Sequence, residues 1–128
     1  MGMTKAAFVS AACLIGMGAL SGAQAAGDAE RGEKVFRQCA ACHSLDKGVN
    51  RVGPSLHGVI GRKSGTAPGF TRYSAAMKKA DVVWNEETLD KYLAAPKEFI
   101  PGNAMAFPGL KKEQDREDVI ALLKEKSD

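Results

Sequence analysis

The stretch from Gly48 to Gly69 limits what this chain can fold into more than any other. It holds six glycines and two prolines and shows neither a helical nor an alternating apolar pattern. Glycine loses more backbone freedom on folding than any other residue. An irregular segment of this length in a small domain usually wraps something or carries function. The segments around it read as helices. Ala29, Gly32, Val35, Phe36 and Cys39 share one face of a predicted helix from Asp28 to Ala41, with acidic residues in its first turn. Gly32 inside that face costs about 1 kcal/mol relative to alanine, which points to a close packing contact.

A turn or two of helix is expected from Ser74 to Lys79. Asn85 caps a helix from Glu86 to about Ala94, with Leu89, Tyr92 and Leu93 on one face, and Pro96 stops it. Phe99 to Gly109 is irregular, with Pro101-Gly102 and Pro108-Gly109 bracketing Met105. A last helix from Glu113 to Lys126 puts Val119, Leu122 and Leu123 on one side. No run alternates for long enough to make a strand, and there is no repeat or domain linker. The expectation is an all-α single domain of short helices and long glycine-rich loops. Such a chain, only 6% aromatic, buries little apolar surface of its own to set against chain entropy. A large apolar cofactor would make up the deficit.

The amino terminus reads differently. After Lys5, Ala6 to Leu20 is an apolar run too short for a comfortable membrane span. Ala23-Gln24-Ala25 follows with the small-x-small pattern of a signal-peptidase site. Residues 1–25 are therefore expected to be a cleaved signal peptide that sends residues 26–128 to the periplasm. An uncleaved anchor is the alternative. A lipoprotein attached at Cys13 fits less well, because Cys13 lies inside the apolar run. Cleavage removes Lys5 as its one charge, so 18 basic residues become 17 against 15 acidic, a balance of +2. That is too small for a protein that lives by neutralising phosphates, which excludes nucleic acid as the partner. Cys39, Cys42, His43, His57, Met77 and Met105 are then the cysteines, histidines and methionines left for chemistry.

Cys39-Ala40-Ala41-Cys42-His43 has the spacing of a covalent c-type haem attachment site. Two cysteines three apart on a helical turn can form thioethers to both vinyl groups on one porphyrin edge. The next residue, His43, is then held beneath the iron as an axial ligand. A thiol redox pair would need a preceding strand, and none is predicted. A disulfide between Cys39 and Cys42 would close a tiny loop and stabilise little. Zinc would find only three ligands, with no second cysteine pair.

The sixth iron position could fall to His57, Met77, Met105, a lysine or nothing. Met77 reads as core packing on a helix, and His57 as a loop residue making a hydrogen bond. Met105 sits in a loop whose prolines and glycines fix its path, and it is the favoured ligand. Histidine–methionine ligation leaves no open position for oxygen or peroxide and favours Fe(II). Outer-sphere one-electron transfer, not catalysis on a substrate, is the expected function.

From Gly32 to Lys124 the chain resembles the class I cytochromes c, the group of bacterial cytochrome c2 and mitochondrial cytochrome c. The resemblance rests on the haem motif, Gly53-Pro54-Ser55-Leu56-His57-Gly58, Gly61-Arg62, Ala67-Pro68-Gly69-Phe70, Glu87-Thr88-Leu89 and Ile100-Pro101-Gly102-Asn103-Ala104-Met105-Ala106-Phe107. It implies that Gly32 and Phe36 pack against Val119 and Leu122. It implies that the Pro54 carbonyl accepts from the axial histidine. By the same resemblance Arg62, Tyr73 and Trp84 reach the haem propionates, Tyr92 lies near the methionine sulfur, and Phe107 lies beside the exposed haem edge. Ordinary core packing is the plainer reading of each. Asn103 and Ala104 stand where the family usually has threonine and lysine, and Met77 where asparagine is frequent.

The resemblance further implies a monomer that does not insert stably in a membrane. It would carry electrons from a quinol-oxidising cytochrome complex to an oxidase or a photosynthetic reaction centre. Arg37, Arg51, Lys97, Lys111 and Lys112 would form part of a basic docking face, or else an ordinary solvated surface. A haem peroxidase, or a cytochrome subunit dedicated to a periplasmic dehydrogenase, is the alternative.

Overall fold

Asp28 starts the first helix. Its carboxylate accepts from the Arg31 backbone N–H at 2.8 Å, capping α1 (Ala29–Phe36), and Glu30 in the first turn complements the helix dipole. The computed structural model describes residues 26–128 and the isolated Gly2, so the expected signal segment lies almost wholly outside the described residues. Four further helices follow: α2 (Ala75–Lys79), α3 (Glu86–Ala94), α4 (Pro96–Phe99) and α5 (Glu113–Glu125). Ser74 caps α2 by accepting from the Met77 N–H at 3.0 Å. Asn85 and Thr88 form a reciprocal capping box on α3.

Two boundaries differ from expectation. The first helix ends at Phe36 and not at Ala41. Beyond it the backbone tightens into turns, with Cys39 N–H bonded to Phe36 O at 2.7 Å and Cys42 N–H to Cys39 O at 3.0 Å. These three-residue steps mix with four-residue ones from Ala40 N–H to Phe36 O and His43 N–H to Cys39 O, and both cysteines come to line the same cavity. The proline at 96 does end α3, but it also opens a single turn of its own, α4. Proline at a first helical position loses no helical hydrogen bond.

Among the described residues there are no strands, and the expected all-α architecture holds. One antiparallel bridge, Lys63 to Val83, ties the glycine-rich loop to the segment before α3. Around it Gly61 N–H donates to Trp84 O at 2.7 Å and Ser64 N–H to Val82 O at 2.7 Å, so the loop's backbone is partly satisfied without regular structure. No described helix is long and apolar enough to cross a membrane.

The last helix, α5, organises the rest and packs on both α1 and α3. A Cβ at Gly32 would lie 2.2 Å from Asp118 O and 3.0 Å from Leu122 Cβ, which accounts for glycine in a helix interior. The same crossing holds a buried charge. The Asp118 carboxylate accepts from Arg31 Nε and Nη2, each at 2.9 Å, from Asp28 N–H at 2.8 Å and from Gln114 Nε2 at 3.0 Å. Those donors, Arg31 first, hold it below the ordinary carboxylate pKa. Val35, Phe36, Leu110, Val119 and Leu122 form one apolar cluster at this crossing. A second, including Val59, Trp84, Leu89, Tyr92, Ile100, Ile120 and Leu123, faces the site.

Candidate haem site

A largely apolar cavity of about 380 Å³ opens between the two clusters and the long loops. The turns after α1 bring Cys39, Cys42 and His43 to its wall, and both thiols are free and half-buried. Burial, and then the neighbouring Cys42, pushes the Cys39 thiol up to about 11.

His43 is fixed from behind. Its Nδ1 lies 2.7 Å from Pro54 O. A carbonyl only accepts, so Nδ1 carries the proton and Nε2 keeps its lone pair. Burial lowers the His43 pKa, partly opposed by the Pro54 bond, so the ring is kept neutral as a metal ligand must be. A Cβ at Gly53 would lie 2.4 Å from His43 Cε1, so this position accepts only glycine beside the ring.

Met105 lines the same cavity from the irregular segment between α4 and α5. Asn103, which is buried, braces that segment. Its Nδ2 donates to Pro96 O and Ile100 O, each at 2.8 Å, and its Oδ1 accepts from Met105 N–H at 3.0 Å. Lys97 Nζ donates to Asn103 O at 2.7 Å. The Tyr92 hydroxyl donates to Met105 Sδ at 3.8 Å.

Pro54, Arg62, Tyr73, Trp84, Tyr92 and Phe107 line this cavity too. Arg62 donates to Ser55 O at 2.8 Å and His57 O at 2.5 Å, and burial lowers its pKa. The Tyr73 hydroxyl accepts from Ala67 N–H at 3.0 Å. Trp84 and Tyr92 stack tilted, with ring centroids 4.9 Å apart. Met77 and Arg72 also reach the cavity, Arg72 lying over the Phe70 ring at 5.7 Å and donating to Arg51 O. His57 does not, and lines a separate cavity.

The sequence marks Gly53 only as part of a motif and Asn103 only as a departure from the family's usual threonine. An asparagine after Pro101-Gly102 is a turn signal that could have marked the brace.

This set of groups suits an iron porphyrin: an apolar slot, a neutral imidazole nitrogen, a thioether sulfur and two free thiols on one edge. Among the described residues no three His, Cys, Asp or Glu side chains are grouped to hold a metal ion. Residues 29–127 match the sequence model of the family described as cytochrome c. The chain belongs to the cytochrome c family. It is 54% identical over 101 residues to a cytochrome c of Sesamum indicum, covering 77% of this chain and 90% of that protein. A cytochrome c of Euglena viridis is also 54% identical, over 99 residues that cover 77% of this chain and 96% of the relative. Among solved structures, cytochrome cH from Methylobacterium extorquens superposes with a TM-score of 0.73 at 45% identity, over 77% of this chain and 99% of that one. The protein is thus a class I c-type cytochrome, of a family of electron carriers, and carries one covalently attached haem c.

Proposed function

We propose that this cytochrome c is a one-electron shuttle whose haem is joined to Cys39 and Cys42 and ligated by His43 and Met105. The placement of His43 and Met105 on one apolar cavity, each braced from behind, carries this reading. Bound there, the haem iron supplies a reversible Fe(III)/Fe(II) couple. His43 presents Nε2 with its ring orientation set by Pro54. Met105 presents a sulfur held by the Tyr92 hydroxyl and by the Asn103 brace, so little reorganises between oxidation states. A filled sixth position gives peroxide or oxygen nowhere to bind, so the chain acts as a carrier and not as a peroxidase. Arg62, Tyr73 and Trp84, which line the cavity, would hold the propionates, and Phe107 would pack against the haem.

The partners would be membrane redox complexes, a quinol-oxidising cytochrome complex on one side and an oxidase or reaction centre on the other. Residues 1–25 would act as a cleaved signal peptide, with residues 26–128 a monomer in the periplasm. The purified protein tests this reading. A reduced-minus-oxidised spectrum should show a low-spin six-coordinate haem, and acid-acetone should fail to extract it. A five-coordinate spectrum would overturn the carrier reading in favour of a peroxidase.

A further inference from the structure

Among the described residues, two arginines line the haem cavity, Arg62 and Arg72, and no aspartate or glutamate does. Besides the two cysteines and His43, the titratable groups that line it are those arginines with Tyr73 and Tyr92. Two guanidiniums thus face an apolar cavity with no carboxylate beside them. Neither forms an ion pair among the described residues, where Lys63, Lys91, Arg116 and Lys124 each have an acidic partner. A charge held against an apolar wall needs a counter-charge. Haem brings two carboxylates, its propionates, one for each arginine.

The two arginines are held differently. Arg62 is half-buried, and its guanidinium is committed to Ser55 O and His57 O. Arg72 is exposed, lies over the Phe70 ring at 5.7 Å, and donates from Nη2 to Arg51 O. Phe70 in turn meets the Tyr73 ring edge-on, with centroids 4.8 Å apart. Arg51 Nη1 donates to Ala40 O at 3.2 Å, inside the turn that carries Cys39 and Cys42. An aromatic ring and a backbone carbonyl therefore fix Arg72 against the cavity and connect its loop to the haem-attachment turn. Among the described residues this hold uses Nη2 alone, so the other donors of the guanidinium are left for a ligand.

We infer that Arg72 is a further propionate partner, the counter-charge to one haem carboxylate as Arg62 is to the other. This rests on the haem reading above. The planar fork of a guanidinium suits a carboxylate and stays charged at any working pH. A cation beside the carboxylate keeps it ionised through the neutral range. The same cation offsets its negative charge, which would otherwise stabilise ferric iron. Arg72 thereby holds the reduction potential up and makes it less dependent on pH.

The test uses holoprotein whose haem carries isotope-labelled propionate carboxyls, followed by nuclear magnetic resonance in the reduced, diamagnetic state, with midpoint potentials across the same pH series. In Arg72→Gln one carboxyl should titrate at higher pH than in the parent while the other stays, and the potential should fall. The fall should grow as pH rises through the raised propionate pKa, because below it the unpaired carboxyl is protonated and neutral. Arg72→Lys should restore much of the potential, since it keeps the charge. Lys34→Gln, an exposed site on α1 that does not line the cavity, should move neither reading. Two unmoved carboxyl titrations would overturn the pairing, as would equal falls in potential from Arg72→Gln and Lys34→Gln. A lowered melting temperature in Arg72→Gln with titrations and potential unchanged would also overturn it, and would leave Arg72 a strap between loops. Which residue fills the sixth iron position does not enter these readings, so the ligand assignment and the pairing fail separately.

Discussion

The Tyr92 hydroxyl and Met105 sulfur lie 3.8 Å apart inside one apolar cavity, with the hydroxyl as donor. Burial pushes the Tyr92 phenol up to about 12, so it remains a donor throughout the working pH range. With Met105 as the proposed iron ligand, a donor on its sulfur would withdraw electron density from the iron. Tyr92→Phe should therefore lower the reduction potential, measured by equilibrium redox titration. Stability should change by only about 1 kcal/mol, since a single hydrogen bond is lost and the ring remains. An unchanged potential would mean that the hydroxyl does not act on the ligand.

At the crossing of α1 and α5, Asp118 should control how the fold responds to acid. Its pKa is depressed in the folded state, chiefly by the Arg31 hydrogen bonds. The network's contribution is thus complete above the ordinary carboxylate pKa and is lost as pH falls through that value towards the folded one. Asp118→Ala should cost about 1–3 kcal/mol at neutral pH, because the Asp28 N–H loses a buried acceptor. The half-exposed Arg31 end is screened and adds little. Denaturant midpoints across a pH series should show parent and variant converging in acid.

Much of this was legible in the sequence, and for physical reasons. Asn85 and Ser74 marked helix starts because their side chains have one good local use, as caps. The cost of Gly32 announced the close crossing that the backbone of Asp118 creates. That Cys39, Cys42 and His43 would share one cavity wall could be read from their fixed spacing. The Asp118 network was not, since its donors from Asp28 and Arg31 lie 90 and 87 positions away and no local pattern records such a pairing. Nor was the Asn103 brace, whose amide is used up on backbone atoms of its own and the preceding turn. The end of α1 was misjudged because apolar spacing continues to Cys39 while the backbone has already tightened.

Docking should depend on where charge lies. Lys111 and Lys112 are exposed just before α5, and Lys124 is exposed near its end, paired with Glu86 at 2.6 Å. Reversing Lys111 and Lys112 should leave the melting temperature almost unchanged, as exposed charges contribute little to folding. It should slow second-order electron transfer to an acidic partner, and rising salt should shrink the difference as the Debye length falls towards about 8 Å. Lys124→Glu should do much less. Equal slowing by both would show that net charge, and not a localised face, governs encounter.

The identity of the sixth ligand is tested most directly by the weak near-infrared sulfur-to-iron charge-transfer band of the oxidised holoprotein, compared in Met105→Ala and Met77→Ala. Both methionines line the cavity, but the Tyr92 hydroxyl donates to the sulfur of Met105, and the Asn103 side chain bonds its backbone. The band should vanish in Met105→Ala, with a lowered potential and an iron open to added ligands, and should persist in Met77→Ala. A band that survives loss of Met105 and disappears with loss of Met77 would contradict the account.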